Sequence, residues 1–253
     1  MVLPNYLRCA LVLHSPASLI PGRYKFISDN IDGFKKIKLI AVSSYVKTEA
    51  QPFFKKKIRV INHGVPVKKF DSSIKFVEKK KLKIVTISAL EQWKGIQDII
   101  IAISSKRLRK IFEFDIYGDG SYKKFLVDLI CEFNLSSNVS LKGITNKVEK
   151  LLPNYDIYCQ MSKGEAFGLS LFEAMACGLP TMVYDIPPFD NLIPNEVTKK
   201  VKNGSEKDLE KALLSYMNYK ERELRGNAGK KFILNNYNME KMSLEYCSLF
   251  DGF

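Results

Sequence analysis

Glu165 and Glu173, eight positions apart, bracket the part of this 253-residue chain best suited to chemistry. Ala166, Phe167, Gly168 and Leu169 lie between them, and Ala174-Met175-Ala176-Cys177-Gly178-Leu179-Pro180 follows. Good helix formers after Gly168, and the stop signal of Gly178 with Pro180, predict a helix over 168–177. The free N–H groups at its amino end, near Phe167 to Leu169, and the positive end of its dipole suit a phosphate. Glu165 precedes the helix and can face whatever that phosphate carries. Glu173 lies about five residues in, roughly 7 Å along the axis. That offset matches a pyrophosphate and the ribose of the same nucleotide, and a carboxylate there can accept from both ribose hydroxyls. The plain alternative makes Glu173 a surface helix residue. Its neighbours Phe172 and Ala174 are apolar, however, and an unpaired buried carboxylate is costly, so the ligand role is the better reading.

The elements that must position these residues alternate. Short apolar or β-branched runs predict strands at Ala10–His14, Lys38–Ser43, Ile58–Asn62, Leu82–Ser88, Phe112–Tyr117, Val139–Lys142, Asp156–Gln160 and Thr181–Tyr184. Helical periods fall between them near Val46–Phe53, Ile96–Ser105, Tyr122–Phe133, Lys147–Leu152 and Gly168–Cys177. Three more follow, near Glu206–Met217, Lys220–Asn235 and Met239–Phe250. Such alternation predicts the doubly wound α/β class, with parallel sheets covered on both faces. Asp156–Gln160 feeds directly into the glutamate segment, which puts the helix tip at the carboxyl edge of a sheet, where open α/β folds bind ligands. A turn-rich stretch, Asn62-His63-Gly64-Val65-Pro66, followed by polar Lys68–Lys81, marks a boundary. The expected organisation is a partial first domain at 1–66, a complete α/β domain at 67–238, and a last helix at 239–253 returning toward the first segment.

The net charge of +13 is uneven: residues 1–66 hold 11 Lys/Arg against 3 Asp/Glu, and the rest hold 29 against 24. Runs such as Lys35-Lys36-Ile37-Lys38 and Lys55-Lys56-Lys57-Ile58-Arg59 read as a solvated face or as attraction to an anionic membrane surface. They lack interleaved aromatics, which argues against nucleic acid. No apolar run reaches the length of a membrane span, and the start, with Pro4 and Arg8, lacks the layout of a signal peptide. The expected location is therefore cytoplasmic; of the two readings of the basic runs the solvated face is the better, and the other would add contact at the inner membrane face through the basic segment. The five cysteines have neither zinc nor redox spacing and read as reduced core residues. There is no Asp-x-Asp motif and no Walker loop, so neither a metal nor a cofactor is expected.

The glutamate segment resembles the signature of retaining glycosyltransferases of family 4, whose GT-B fold sets two Rossmann-like domains across a cleft. Further segments resemble the family in order and spacing: Ile40-Ala41-Val42-Ser43-Ser44, Val60-Ile61-Asn62-His63-Gly64-Val65, Val85-Thr86-Ile87-Ser88-Ala89-Leu90 with Trp93-Lys94-Gly95, and Tyr117-Gly118-Asp119-Gly120. The resemblance implies a donor site of Ser88, Lys94, Gly95, Gly143, Ile144, Glu165, Ala166, Phe167, Gly168, Leu169 and Glu173. The base would lie near Gly143–Thr145. Lys94 would offset charge on the leaving diphosphate, Glu165 would orient the sugar hydroxyls, and His14 would face the sugar from the other domain. Read alone, Lys94 is one solvated lysine among many, and a lone histidine after a strand is as often structural; His63 receives no role. The family's arginine after the first strand of its second domain is Ala89 here, with Arg107 and Arg109 as candidate substitutes. The chain also resembles the family only from about the fifth strand of its first domain.

The reaction so implied moves a sugar from a nucleoside-diphosphate sugar, UDP or GDP type, to a hydroxyl of a glycan or lipid-linked acceptor with retention, in bacterial polysaccharide or lipopolysaccharide assembly. Two other readings stand beside it: a truncated, inactive nucleotide-sugar-binding module, or a subunit completed by a partner chain. A GT-B epimerase fits the Phe-Gly-Leu helix and glutamate pair less well.

Overall fold

The computed structural model describes residues 9–20, 22–31 and 37–251. The opening stretch with Pro4 and Arg8, and the lysines at 35 and 36, lie outside the described residues. The chain divides into two compact units: residues 1–66, 165–168 and 236–253 form one, and 67–164 with 169–235 the other.

The first unit holds β1 (Cys9–Leu13), α1 (Arg23–Ile31), β2 (Ile37–Ala41), α2 (Ser44–Ala50) and β3 (Ile58–Val60). Among the described residues its three strands are parallel in the order β1-β2-β3, and Cys9 to Leu13 pair with Ile37 to Ala41. Ser43 caps α2 by accepting the Val46 N–H at 3.2 Å. The helix expected through Phe53 stops at Ala50 and gives way to a 3-10 turn over Gln51–Phe53. Pro52 has no N–H to continue the ladder. The last helix of the chain, α10 (Met239–Asp251), also belongs to this unit. Leu249 packs with Ile40 and Ile61, and Met242 and Tyr246 lie against the same cluster.

The second unit is a six-stranded parallel sheet in the order β6-β5-β4-β7-β8-β9. Along the chain it runs β4 (Leu82–Ile87), α3 (Ile96–Ile103), β5 (Phe112–Tyr117), α4 (Lys123–Glu132), β6 (Val139–Gly143), α5 (Val148–Leu151) and β7 (Ile157–Gln160). It continues with α6 (Leu169–Ala176), β8 (Thr181–Tyr184), α7 (Phe189–Leu192), β9 (Lys199–Val201), α8 (Glu206–Ser215) and α9 (Tyr219–Asn236). The adjacent interior strands β7 and β8 are buried at every position, as expected of a sheet covered on both faces. From β4 the chain winds outward to β5 and β6, and from β7 outward the other way to β8 and β9. The winding therefore reverses between β4 and β7, and the loops after those two strands leave the same carboxyl edge on either side of a crevice. Among the described residues no helix is long and apolar enough to cross a membrane.

Candidate functional site

The crevice at the β4/β7 switch point is built by two loops that lock together. After β4, a short 3-10 turn over Gln92–Lys94 ends in Gly95, which takes a left-handed φ of +67°. A Cβ at Gly95 would stand 1.8 Å from the Met161 carbonyl oxygen of the loop after β7. Only glycine satisfies both the backbone angle and that approach. Two residues on, the Lys163 N–H donates to the Trp93 carbonyl at 2.7 Å. The Lys94 ammonium lies 4.0 Å from the centroid of the Trp93 ring, a cation–π contact. Just past the end of β4, the Ser88 hydroxyl is buried with no hydrogen-bond partner among the described residues. A buried hydroxyl normally has one, so its orphaning at a strand's carboxyl end calls for an incoming polar group.

The loop pair is braced from behind by Asp98, in the first turn of α3. Its carboxylate accepts the Tyr184 hydroxyl at 2.8 Å and stands 3.3 Å from the Lys163 ammonium. Burial raises the Tyr184 phenol well above its usual range, and the bond to Asp98 adds to that rise. On the other side of the crevice, the first turn of α6 is tied to β7 through Ser170, whose hydroxyl meets the Tyr158 hydroxyl at 2.8 Å. The helix begins at Leu169, one residue later than expected, because Gly168 takes φ +90°. The N–H groups of that first turn have no intrahelical acceptors and point out of the carboxyl edge.

Glu173 lies on the second turn of α6 between Phe172 and Ala174, both completely buried, and is itself half-buried. Burial raises its carboxyl above the usual range; the charge of Lys69 opposes the rise and that of Glu149 adds to it. Lys69 is engaged at 3.6 Å by Glu149, so Glu173 shares its cation. A half-buried carboxylate left with part of one ammonium is poised to accept donors from a ligand. Gly143 ends β6 and Ile144 follows it at the same edge, with Ile144 79 % exposed and the Gly143 carbonyl accepting the Gly118 N–H at 2.8 Å.

Residues 67–232 match the sequence profile of the family described as Glycosyl transferases group 1. The chain belongs to this family. It is 35 % identical over 128 residues to the GtfA subunit of the UDP-N-acetylglucosamine–peptide N-acetylglucosaminyltransferase of Streptococcus parasanguinis, covering 49 % of this chain and 25 % of that protein. To the poly(ribitol-phosphate) alpha-N-acetylglucosaminyltransferase of Staphylococcus aureus it is 28 % identical over 160 residues, covering 61 % of this chain and 32 % of that protein. The matched stretches thus span about a quarter to a third of those relatives. The structure superposes on Anabaena HepE, crystallised with UDP and glucose, with a TM-score of 0.86 at 17 % identity, covering 96 % of this chain and 71 % of that one. The fold is GT-B.

In this member of the group 1 family, Ser88, Lys94, Gly95, Gly143, Ile144 and Leu169 fall in the second unit at or just beyond the carboxyl ends of its strands, and Glu173 lies a turn into α6. The other expected site residues belong to the first unit. There Glu165 is buried, Phe167 is 2 % exposed, and the Ala166 carbonyl accepts the Ser43 hydroxyl at 2.7 Å. His14 and His63 follow the carboxyl ends of β1 and β3, and their rings stack with centroids 5.3 Å apart. Phe167 meets His63 edge-on at 5.3 Å and Tyr237 at 5.8 Å. His63, given no role from sequence, is therefore central to this aromatic group. Its pKa is lowered, first by burial and then by the neighbouring His14.

One expectation is corrected. Arg107 and Arg109 precede β5 and so lie at the amino edge of the sheet, opposite the crevice. The Arg109 guanidinium donates to the carbonyls of Ser104, at 2.6 Å, and Phe133, at 3.2 Å, closing the ends of α3 and α4. Neither arginine replaces the family's arginine at position 89.

Proposed function

We propose that the chain binds a nucleoside-diphosphate sugar at the β4/β7 crevice and serves its transfer, with retention, to an acceptor hydroxyl. The observation that carries this reading is Glu173: a half-buried, under-compensated carboxylate one turn along from the helix tip at the switch point. On this reading the α6 tip and Lys94 hold the diphosphate, Glu173 the ribose, and Ser88 a donor oxygen or hydroxyl. Preorganised positive groups then stabilise the negative charge of the departing diphosphate while the bond to the sugar weakens. The family resemblance assigns sugar-facing roles to Glu165 and His14. No metal is assigned to the step, because the sequence offers no Asp-x-Asp pair at the crevice.

UDP is the first donor base to test, since the GtfA relative is named for UDP-N-acetylglucosamine and HepE was crystallised with UDP. The names of GtfA and of the Staphylococcus aureus relative give a peptide and poly(ribitol-phosphate) as their acceptors. For this chain the acceptor on our reading is a glycan or lipid-linked hydroxyl, as in surface-polysaccharide assembly at the cytoplasmic face of a membrane. A second reading follows from the name of that same relative: GtfA is a subunit, and this chain can act with a completing partner chain.

Calorimetric titration with UDP- and GDP-sugars tests the donor claim. Glu173→Ala, which removes a charge-assisted bond worth about 1.5–3 kcal/mol, is expected to weaken binding roughly 10- to 100-fold. Equal affinity in wild type and variant would overturn the reading. Anomeric configuration of the product by NMR then tests retention, and His14→Ala and Glu165→Gln test the remaining roles.

A further inference from the structure

The second unit also contains a cavity of about 470 Å³ that the donor reading leaves unused. It lies along β9, an edge strand two strands beyond β7, and its other wall is one face of α8. Its lining includes five cations, Lys199, Lys200, Lys202, Lys211 and Arg225, against Asp185 and Asp208.

These cations are not equally engaged. Glu221 sits between Lys199, at 2.7 Å, and Arg225, at 2.6 Å, so one carboxylate serves two cations. Burial pushes the Glu221 carboxyl up, but the bonds from Lys199 and Arg225 outweigh it and hold the group below its usual range. Lys200 donates to the Asp190 carbonyl at 2.9 Å and stands 3.9 Å from Asp185. The ammonium groups of Lys202 and Lys211, one on each wall, have no ion-pair or hydrogen-bond partner among the described residues. Counting Glu221, five cations face three carboxylates, a surplus of two positive charges.

Lysines on an edge strand commonly serve to block strand addition, and that role needs heads held out in water. Lys199 and Lys200 do not fit it, with side chains only 20 % and 11 % exposed. A cavity of this volume accommodates a small molecule. A surplus of two charges matches a phosphate monoester, which carries about −1.5 to −2 at neutral pH.

We infer that this trough is a second anion site, separate from the donor crevice, which takes a phosphate monoester between Lys202 and Lys211. Lys199 and Arg225 supply the surrounding positive field. The ester can be a soluble phosphorylated metabolite or the headgroup of an anionic lipid.

The full chain, saturated with UDP, is titrated with glycerol phosphate in one arm and with phosphatidylcholine vesicles containing phosphatidic acid in the other. Saturable binding is expected in one arm and identifies the source. It is expected to weaken about tenfold or more in Lys202→Glu/Lys211→Glu, with the milder Lys202→Gln/Lys211→Gln in between and the melting temperature unchanged. UDP affinity, measured by titration into each protein before the phosphate ester is added, is expected to be the same in wild type and variants, so failure of the donor reading is separately visible. Absence of saturable binding in both arms, or binding indifferent to both double variants, overturns the inference.

Discussion

His63 follows β3, stacks on His14 and receives the edge of Phe167. Burial, and secondarily His14, keep its folded pKa below the ordinary value of about 6.5 that it regains on unfolding. As pH falls below about 6.5 the unfolded chain takes up a proton that the folded chain refuses, so stability is lost on acidification. One proton sets a ceiling of about 1.4 kcal/mol per pH unit, and partial exposure keeps the observed slope beneath it. Melting temperatures from pH 8 to pH 5 are expected to fall more steeply for wild type than for His63→Gln. Parallel curves would mean that the ring titrates as it does in water. Nothing in the sequence pointed to this role. A single histidine in a turn has no periodicity, and its partner lies on another strand, so only the parallel pairing of β1 with β2 and β2 with β3 brings the two together. Glu173, by contrast, stands out because it interrupts an apolar helix whose bounds can be read around it. Lys94 stands out only through the resemblance of its segment to the family; read alone, it is one solvated lysine among many.

At the scale of elements, α3 owes the position of its first turn to Asp98. Asp98→Ala would leave the Tyr184 hydroxyl, on a residue 1 % exposed, without its acceptor. Leaving a buried donor unsatisfied costs about 1–3 kcal/mol. Chemical denaturation is expected to show that loss in Asp98→Ala, with most of it recovered in Asp98→Asn, which keeps an acceptor oxygen for Tyr184. Donor affinity should follow the same order, since Lys163 and Trp93 join this brace to the Lys94 turn. A loss equal in both variants would place the effect in the helix dipole rather than in the tyrosine bond. Strand β5 was read with its bounds intact because Phe112, Phe114 and Ile116 alternate inward. Strand β9, Lys-Lys-Val, was missed: three residues at a sheet edge with two ammonium groups carry no apolar signal, and burial of their stems depends on α8 and Glu221. Helix α1 was missed too, because only Tyr24 and Ser28 of its nine residues are buried.

At the scale of the whole second unit, α9 closes the domain with a face that no hydrophobic pattern reveals. Its buried residues are Arg222, Gly226, Gly229 and Ile233. Arg222 donates to the Val77 carbonyl at 2.5 Å and to that of Met217 at 3.2 Å, and Lys230 reaches Asp71 at 2.7 Å. The polar stretch over 68–81, which reads as a linker, is thereby fastened down. The two glycines separate close packing from helix propensity. A Cβ at Gly226 would stand 2.3 Å from the Gly178 carbonyl oxygen and 2.7 Å from the Phe76 ring, whereas at Gly229 the nearest atom is the Met175 side chain at 3.4 Å. Gly178 is itself held at the end of α6, its N–H donating to the Met175 carbonyl at 2.8 Å, so that carbonyl cannot simply retreat. Gly226→Ala is therefore expected to destabilise by about 1–3 kcal/mol, the usual cost of overpacking. Gly229→Ala should be neutral or stabilising by up to about 1 kcal/mol, because alanine is the better helix former. Denaturant melts of the two variants decide the matter, since propensity alone predicts the same sign for both. If Gly226→Ala were as stable as Gly229→Ala, α9 would not be seated against the end of α6, and the fastening of residues 68–81 would lose its physical basis.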